Sequence, residues 1–182
     1  VVDNSSKNNG DIFNGYNKVK YIPNYDNLGI SAALNIGAKE AINNKYKWIL
    51  TMDQDSHFEK DAISKMKEYI NNSDKTNEKL GIVSPFHLTK RTEGIKLEGV
   101  DYPILVMTSG NLLNLEAYLD VGGFPEWYFI DCVDFDFCLA LRKKGYEIAQ
   151  INDAVLQHEL GDTVRRQIGK KVFYLDNHNY IR

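Results

Sequence analysis

Apolar residues recur at helical spacing in several stretches of the chain, with short apolar runs between them. Ile30, Ala33, Leu34, Ala38, Ala41 and Ile42 predict a helix over 30–46. Ala62, Ile63, Met66, Tyr69 and Ile70 predict a second helix, capped at its start by Asp61 or a neighbour. Val133, Phe137, Cys138 and Leu141 give the apolar face of a third, which ends at Gly145, and 115–120 predicts one or two helical turns. The runs 18–22, 48–52, 81–85, 105–109 and 146–151 read as strands, and 86–101 as a strand or hairpin. The polar stretch 71–79 reads as a loop, Gly122-Gly123-Phe124-Pro125 breaks the chain, and the tail beyond Gly161 is predicted helical. Strands alternating with helices predict an α/β sandwich with a mostly parallel sheet. No internal repeat or low-complexity segment interrupts the pattern.

One strand ends in chemistry. Trp48-Ile49-Leu50-Thr51-Met52 runs into Asp53-Gln54-Asp55-Ser56. If 48–52 is a buried strand, side chains alternate faces, so Asp53 and Asp55 point the same way. Two carboxylates at a strand's carboxyl end can seat a divalent cation and, through it, a diphosphate. Open α/β sheets bind ligands at that edge. The plain alternative is a pair of turn or cap residues, and for an isolated D-x-D that alternative is favoured.

Composition narrows the field. The 182 residues suffice for one domain with a full core, and 43% hydrophobic with 26% charged residues is ordinary for a soluble globular protein. A net charge of -3, with no Lys/Arg stripe among aromatics, argues against nucleic acid. The basic pairs Lys143-Lys144, Arg165-Arg166 and Lys170-Lys171 read as solvated faces, the last two with the option of touching a phosphate or an anionic membrane. Cys132 and Cys138 have no zinc spacing and read as free thiols in a reducing compartment. No apolar run approaches a membrane span, and no signal peptide is evident. The opening Val1-Val2-Asp3-Asn4-Ser5-Ser6 reads as the end of a strand, as expected of a piece of a longer protein.

Four more clusters accompany the paired acids. Asp3, at a strand end, can accept from the N–H of a uracil or thymine ring or make an Asx turn. Asn27-Leu28-Gly29-Ile30 opens a helix, where Gly29 permits close approach to an anion; Asn and Gly also simply begin helices. Asp131, Asp134 and Asp136 start the third long helix. The helix dipole explains acids there, but three of them among Phe129, Ile130, Val133, Phe135 and Phe137 exceed a cap's needs. One of them can serve as general base toward a sugar hydroxyl. His158, after Ala154-Val155-Leu156, is either a structural histidine or the imidazole completing a carboxylate site for Mn²⁺ or Mg²⁺.

Taken together, and in order, these strings resemble family 2 glycosyltransferases of the GT-A fold, and most closely the bacterial rhamnosyltransferase-like branch that builds O-antigen and capsule polysaccharides. They are VVDNSS (1–6), YIPNYDNLGISAALNIGAKEA (21–41), WILTMDQDS (48–56), TSGNLLN (108–114), GGFPEWYFIDCVDFDFCLALRKKGYEI (122–148) and VLQHELGD (155–162). The resemblance implies that Asp3 recognises the pyrimidine of a nucleotide sugar and that Asn27 to Ile30, Gly29 included, lines the nucleotide pocket. It implies that Asp53 and Asp55 are the family's DxD. Asp55 would contact the metal directly, Asp53 would lie nearer the ribose or a metal water, and His158 would be a further metal ligand. Ser109 to Asn111 would lie near the donor sugar or the acceptor. The family's E-D-x-D reads here Val133-Asp134-Phe135-Asp136, without the leading Glu, so the base is Asp134 first and Asp131 second.

The implied reaction is metal-dependent (Mn²⁺ or Mg²⁺), inverting transfer of a sugar such as rhamnose. The donor would be a dTDP- or UDP-sugar and the acceptor a saccharide or lipid-linked saccharide. The expected place is the cytoplasm, with scope for peripheral contact at the inner face of the plasma membrane. The family's first strand would precede Val1, its processive Gln-x-x-Arg-Trp motif is absent, and His178 stands where the family's late segment carries Arg. Two rivals remain. A haloacid dehalogenase-type phosphohydrolase also uses D-x-D but wants Thr or Val where His57 stands; the other is a folded, non-catalytic remnant.

Overall fold

The structure is a computed structural model that describes residues 1–73, 79–89, 92, 94, 98–158, 162–168 and 171–177. Its strands are β1 (Val2–Asp3), β2 (Ile22–Pro23), β3 (Trp48–Leu50), β4 (Ser56–Phe58), β5 (Leu80–Leu88), β6 (Val100–Asp101), β7 (Leu112–Asn114), β8 (Glu147–His158), β9 (Asp162–Ile168) and β10 (Lys171–Asn177). Its helices are α1 (Ile30–Asn43), α2 (Ala62–Ser73), α3 (Leu115–Val121) and α4 (Val133–Lys143), with a 3₁₀ turn at Gly10–Phe13.

The main sheet has the order β3-β7-β5-β8-β4, and β6 also pairs with β8. β5 and β8 are parallel, while β7 runs antiparallel to both β3 and β5, so β3, β5 and β8 share one direction. β4 and β6 are antiparallel to β8, and β1 and β2 form a separate parallel pair. The parallel character predicted from the sequence therefore lies in β3, β5, β8 and the β1/β2 pair. The antiparallel partners are short strands.

Alternation across the strands feeds two cores. Ile82, Leu113 and Ile148 face Ala38, Tyr118, Phe137 and Leu141 from α1, α3 and α4. Val83, Leu112 and Ala149 face Ala62, Met66 and Ile70 from α2. Full burial of side chains such as Met66, Leu113 and Leu141 stabilises the sandwich by about 1.5–3 kcal/mol each.

β8 departs from regularity where it matters. Its partner on β5 moves from Pro85↔Ile151 to Phe86↔Val155, which leaves 152–154 outside the ladder. Asn152 anchors this bulge: its side chain donates to the Glu98 carbonyl and the Asp101 carboxylate, and its N–H to the Gly99 carbonyl. Before the bulge, the outer neighbour of β8 is β6; after it, the neighbour is β4. Bulges of this kind re-aim a strand's end.

The predicted helices stand where their periodicity puts them, and α1 stops at Asn43. Asp61 lies just before α2 with φ 65°, its carbonyl accepting from the Lys65 N–H. Three expectations change, and one strand is new. The strand predicted at 18–22 is only Ile22–Pro23, because a turn closes at Val19 N–H to the Tyr16 carbonyl. The segment 105–109 is not a strand: the carbonyls of Met107 and Thr108 are taken by Asn111 Nδ2 and Thr51 Oγ1 rather than by a ladder, and the strand follows as β7. β4 had no sequence signal. The tail predicted as helix is the antiparallel pair β9/β10, whose sequences Thr163-Val164 and Val172-Phe173-Tyr174 are rich in β-branched and aromatic residues. The 71–79 loop and the 86–101 hairpin fall partly outside the described residues; β5 extends to Leu88.

Candidate active site

The chain after β3 is locked before it reaches the acids. Thr51 N–H donates to the Asn111 carbonyl at 2.9 Å, Gly110 N–H to the Thr51 carbonyl at 2.7 Å, and Thr51 Oγ1 to the Thr108 carbonyl at 2.6 Å. Gly110 allows this crossing: at φ 81°, a Cβ there would lie 2.8 Å from Leu156 Cδ2 and 2.9 Å from Pro85 Cγ. Asp53 and Asp55 then flank a turn into β4, with Asp53 half-buried and Asp55 exposed. They do not converge through strand alternation, since β3 ends at Leu50; the turn brings them together.

β4 folds back on the end of β8 with Ser56 opposite His158. One ligand atom each from Asp53, Asp55 and His158 then lies within 4.8 Å of the others. Two carboxylates and an imidazole are a donor set suited to Mn²⁺, and with more water to Mg²⁺. The electrostatics agree with a cation seat. Burial pushes the Asp53 carboxyl above the usual range; the His158 ring opposes this, and the Asp55 and Asp134 charges add to it. A cation would relieve that crowding.

Asp134 sits in the first turn of α4, half-buried. With Thr51, Thr108, Phe137 and Cys138 it lines a small cavity of about 10 Å³, room for about one water. Burial raises its carboxyl too, with the Asp131 charge adding, against the stabilising Phe135 N–H at 3.0 Å. Asp131 is exposed in the preceding loop. Cys132 holds a left-handed backbone at the helix start (φ 67°), and both cysteines are free.

Ser109 joins the acids to the strand beneath. Its Oγ accepts the Asp53 N–H at 3.2 Å and donates to Ser56 Oγ at 3.0 Å, and Ser56 Oγ lies 2.6 Å from His158 Nδ1. His87 Nε2 reaches the Ser109 carbonyl at 2.7 Å, and burial holds that imidazole below its ordinary pKa. Ser56 and His87 escaped sequence reasoning. Ser56 directly follows the D-x-D, which was a usable signal; His87 sits in an apolar stretch that gave none.

Asp3, Asn27 and Gly29 form a second group. The Asp3 carboxylate accepts from Tyr21 Oη (2.7 Å), Asn9 Nδ2 (2.9 Å) and the Ser5 N–H (2.9 Å), which hold it well below the usual carboxylate range. Asn4 Nδ2 donates to the Gly29 carbonyl at 2.9 Å, and exposed Asn27 accepts the Gly29 N–H through Oδ1 at 3.2 Å. The close approach that Gly29 permits is made by Phe129: its carbonyl takes the first N–H of α1, from Ile30, at 2.8 Å. A Cβ at Gly29 would lie 2.6 Å from that oxygen. The loop leading to Asp131 and Asp134 is thereby pinned to the start of α1.

Asn35 of α1, also unforeseen, fixes the same loop from below. Its amide donates to the Phe124 carbonyl and Glu126 Oε1, and accepts from Tyr118 Oη and the Phe124 N–H. All four hydrogen-bonding positions of the amide are filled.

The chain resembles known proteins in sequence and in fold. The sequence is 28% identical over 155 residues to a dTDP-rhamnosyl transferase, RfbF, of Shigella flexneri, covering 75% of this chain and 50% of the relative. The chain thus spans about half the length of that relative. Among solved structures, GalNAc-T7 with UDP, GalNAc and Mn²⁺ superposes with a TM-score of 0.69 at 12% identity, over 87% of this chain and 37% of that one. S. aureus TarS superposes with a TM-score of 0.67 at 13% identity, over 88% of this chain and 30% of that one. At such identities the likeness is one of fold, and it is the α/β GT-A fold expected from the sequence. The family description for glycosyl transferase family 2 matches residues 1–124, which hold β1 through the D-x-D to β7 and α3. That match displaces the phosphohydrolase alternative, and the chain belongs to glycosyl transferase family 2.

Proposed function

We propose that this chain carries the catalytic domain of a metal-dependent inverting glycosyltransferase. It transfers a sugar from a nucleotide diphosphate donor to a saccharide or lipid-linked saccharide acceptor, in assembly of bacterial surface polysaccharide such as O-antigen or capsule. The carrying observation is the convergence of Asp53, Asp55 and His158 within 4.8 Å, near enough to a third, half-buried carboxylate, Asp134, for its charge to act on Asp53. Likeness to the Shigella dTDP-rhamnosyl transferase favours dTDP-rhamnose as donor, and the Mn²⁺ that accompanies UDP in GalNAc-T7 favours manganese as the ion.

Asp55, Asp53 and His158 would hold the Mn²⁺ or Mg²⁺, which when bound supplies Lewis-acid neutralisation of the leaving diphosphate. Asp3 has lone-pair capacity on Oδ1 for the imide N–H of uracil or thymine, and the three donors on its carboxylate keep it ionised. Exposed Asn27 would line the nucleotide side with Gly29 shaping the turn behind it, and Ser109 holds the Asp53 main chain. Asp134 takes the proton of the acceptor hydroxyl as its oxygen bonds to the anomeric carbon. The bond from that carbon to the diphosphate oxygen breaks with its electron pair leaving on phosphate. Attack opposite the leaving group inverts the anomeric centre. A raised carboxyl pKa makes Asp134 a stronger base, and its burial favours it over exposed Asp131. Among the described residues no helix is long and apolar enough to cross a membrane. The reading places the chemistry in the cytoplasm, with peripheral contact at the inner face of the plasma membrane.

The test is a transfer and hydrolysis screen across nucleotide sugars with Mn²⁺, comparing the chain with Asp134→Asn. Turnover is expected to fall ~10²–10⁴-fold while donor affinity survives. Near-normal turnover in Asp134→Asn alongside loss in Asp131→Asn moves the base to Asp131. Absence of any metal-dependent nucleotide binding in calorimetry favours a non-catalytic remnant.

A further inference from the structure

Behind the carboxylates runs a line of hydrogen bonds in which the proposed reaction gives no role to His87 or Ser56. It begins at His87, buried in β5, whose Nε2 meets the Ser109 carbonyl at 2.7 Å. A carbonyl oxygen only accepts, so Nε2 carries the hydrogen. Ser109 Oγ donates to Ser56 Oγ at 3.0 Å, and Ser56 Oγ lies 2.6 Å from His158 Nδ1. The His87 ring stands edge-on to the His158 ring, with centroids 6.2 Å apart at 85°, which limits how that ring can turn. β5, the loop before β7, β4 and β8 all contribute one member.

The last bond is a product of register. Ser56 and His158 are directly opposed in the antiparallel β4/β8 ladder, so their side chains leave the same face of the sheet. Serine is short enough to meet the near nitrogen of the ring without displacing it. A neutral imidazole ligates through its bare nitrogen and keeps its hydrogen on the other. With Nδ1 turned to Ser56, Nε2 is the nitrogen left for an ion shared with Asp53 and Asp55. In that state Nδ1 carries the hydrogen and Ser56 Oγ accepts it. A hydroxyl oxygen accepts two hydrogen bonds, so Ser56 can take those of His158 and Ser109 together.

We propose that Ser56 is the positioning residue of the cation seat: it fixes His158 in the Nδ1–H tautomer, with Nε2 bare, and through Ser109 ties that ring to the main chain of Asp53. This role rests on the metal-dependent reading above. Supporting partners of metal-bound histidines are typically worth 10–100-fold in metal affinity.

Mn²⁺ binding, followed by electron paramagnetic resonance with and without UDP, is therefore expected to weaken about 10–100-fold in Ser56→Ala. Ser56→Thr keeps the hydroxyl in a strand that suits a β-branched residue, and is expected to restore affinity. Long-range ¹H–¹⁵N spectra of the unsubstituted chain, saturated with Mg²⁺, are expected to show His158 protonated at Nδ1. They need no variant to fold, and the Nε2–H form there overturns the proposal. Unchanged Mn²⁺ affinity in Ser56→Ala, with loss in Asp55→Asn, overturns the role of Ser56 and leaves the cation seat standing. An unsubstituted chain that binds neither ion overturns both.

Discussion

Asn35 illustrates how much one buried amide can hold. It lies in α1, yet its four hydrogen bonds all go to α3 and to the turn that precedes the loop carrying Asp131. Substitution by leucine keeps the branched shape but is bulkier, and it strands the Phe124 N–H, the Phe124 carbonyl and Tyr118 Oη in an apolar setting. Each orphaned group costs about 1–3 kcal/mol, so Asn35→Leu is expected to lose roughly 3 kcal/mol or more, measured by urea denaturation. A midpoint unchanged from the parent would show that water replaces the amide. The sequence could not announce this residue. An asparagine in a helix looks like any exposed polar position, and only the approach of residues some 90 positions away makes it a core group. Asp53, Asp55, Asp134 and His158 were legible as candidates because their chemistry is distinctive wherever it stands. Ser56, His87 and Asn35 act through geometry, and geometry of that range is not local.

Among elements, those with strong periodicity were legible and those defined by a partner were not. α1, α2 and α4 bury a face repeated every three to four residues, so their sequences carry the signal. β4 has three residues, Ser56-His57-Phe58, and exists because β8 offers an edge beyond its bulge. The predicted strand at 105–109 failed for the converse reason: Val106 packs into the core while Leu105 stays exposed, and side chains take the carbonyls of Met107 and Thr108. The start of α1 offers an element-level test. Gly29 has φ 82° and ψ 170°, a region essentially reserved for glycine, and the Phe129 carbonyl fills the space a side chain needs. Gly29→Ala is expected to cost at least about 1–3 kcal/mol of stability and to release the loop that carries Asp131. Faster amide exchange at Ile30, whose N–H bonds to Phe129, would report that release. Unaltered exchange there would place the strain elsewhere.

At the scale of the whole molecule, the site works against the stability of the ion-free fold. The carboxyls of Asp53 and Asp134 are raised by burial first and by neighbouring acids second, so the native state holds their protons to higher pH than the unfolded chain does. Their contribution is favourable at low pH and is lost as pH rises through the raised values. Asp3 behaves oppositely: its hydrogen bonds from Tyr21, Asn9 and Ser5 stabilise the fold above the ordinary carboxylate range and are lost in acid. At neutral pH, Asp53→Asn is therefore expected to raise the melting temperature of the ion-free chain. Mn²⁺ at about 100 times its dissociation constant adds ~2.7 kcal/mol. That corresponds to roughly 5–10 °C in a chain of this size, and the shift should be missing in Asp55→Asn. Scanning calorimetry at several Mn²⁺ concentrations decides it, and a melting point indifferent to the ion would sink the cation seat. The β4/β8 contact also has a meaning in time. Ser56 and His158 are 102 residues apart, and the matched family region ends at residue 124, ahead of both His158 and Asp134. On the ribosome, a nascent chain extended only through β7 already contains both aspartates and has nothing to set opposite them. The proposed seat is complete only with the final residue of β8, so a product of interrupted translation lacks the wall that gathers His158 to those aspartates.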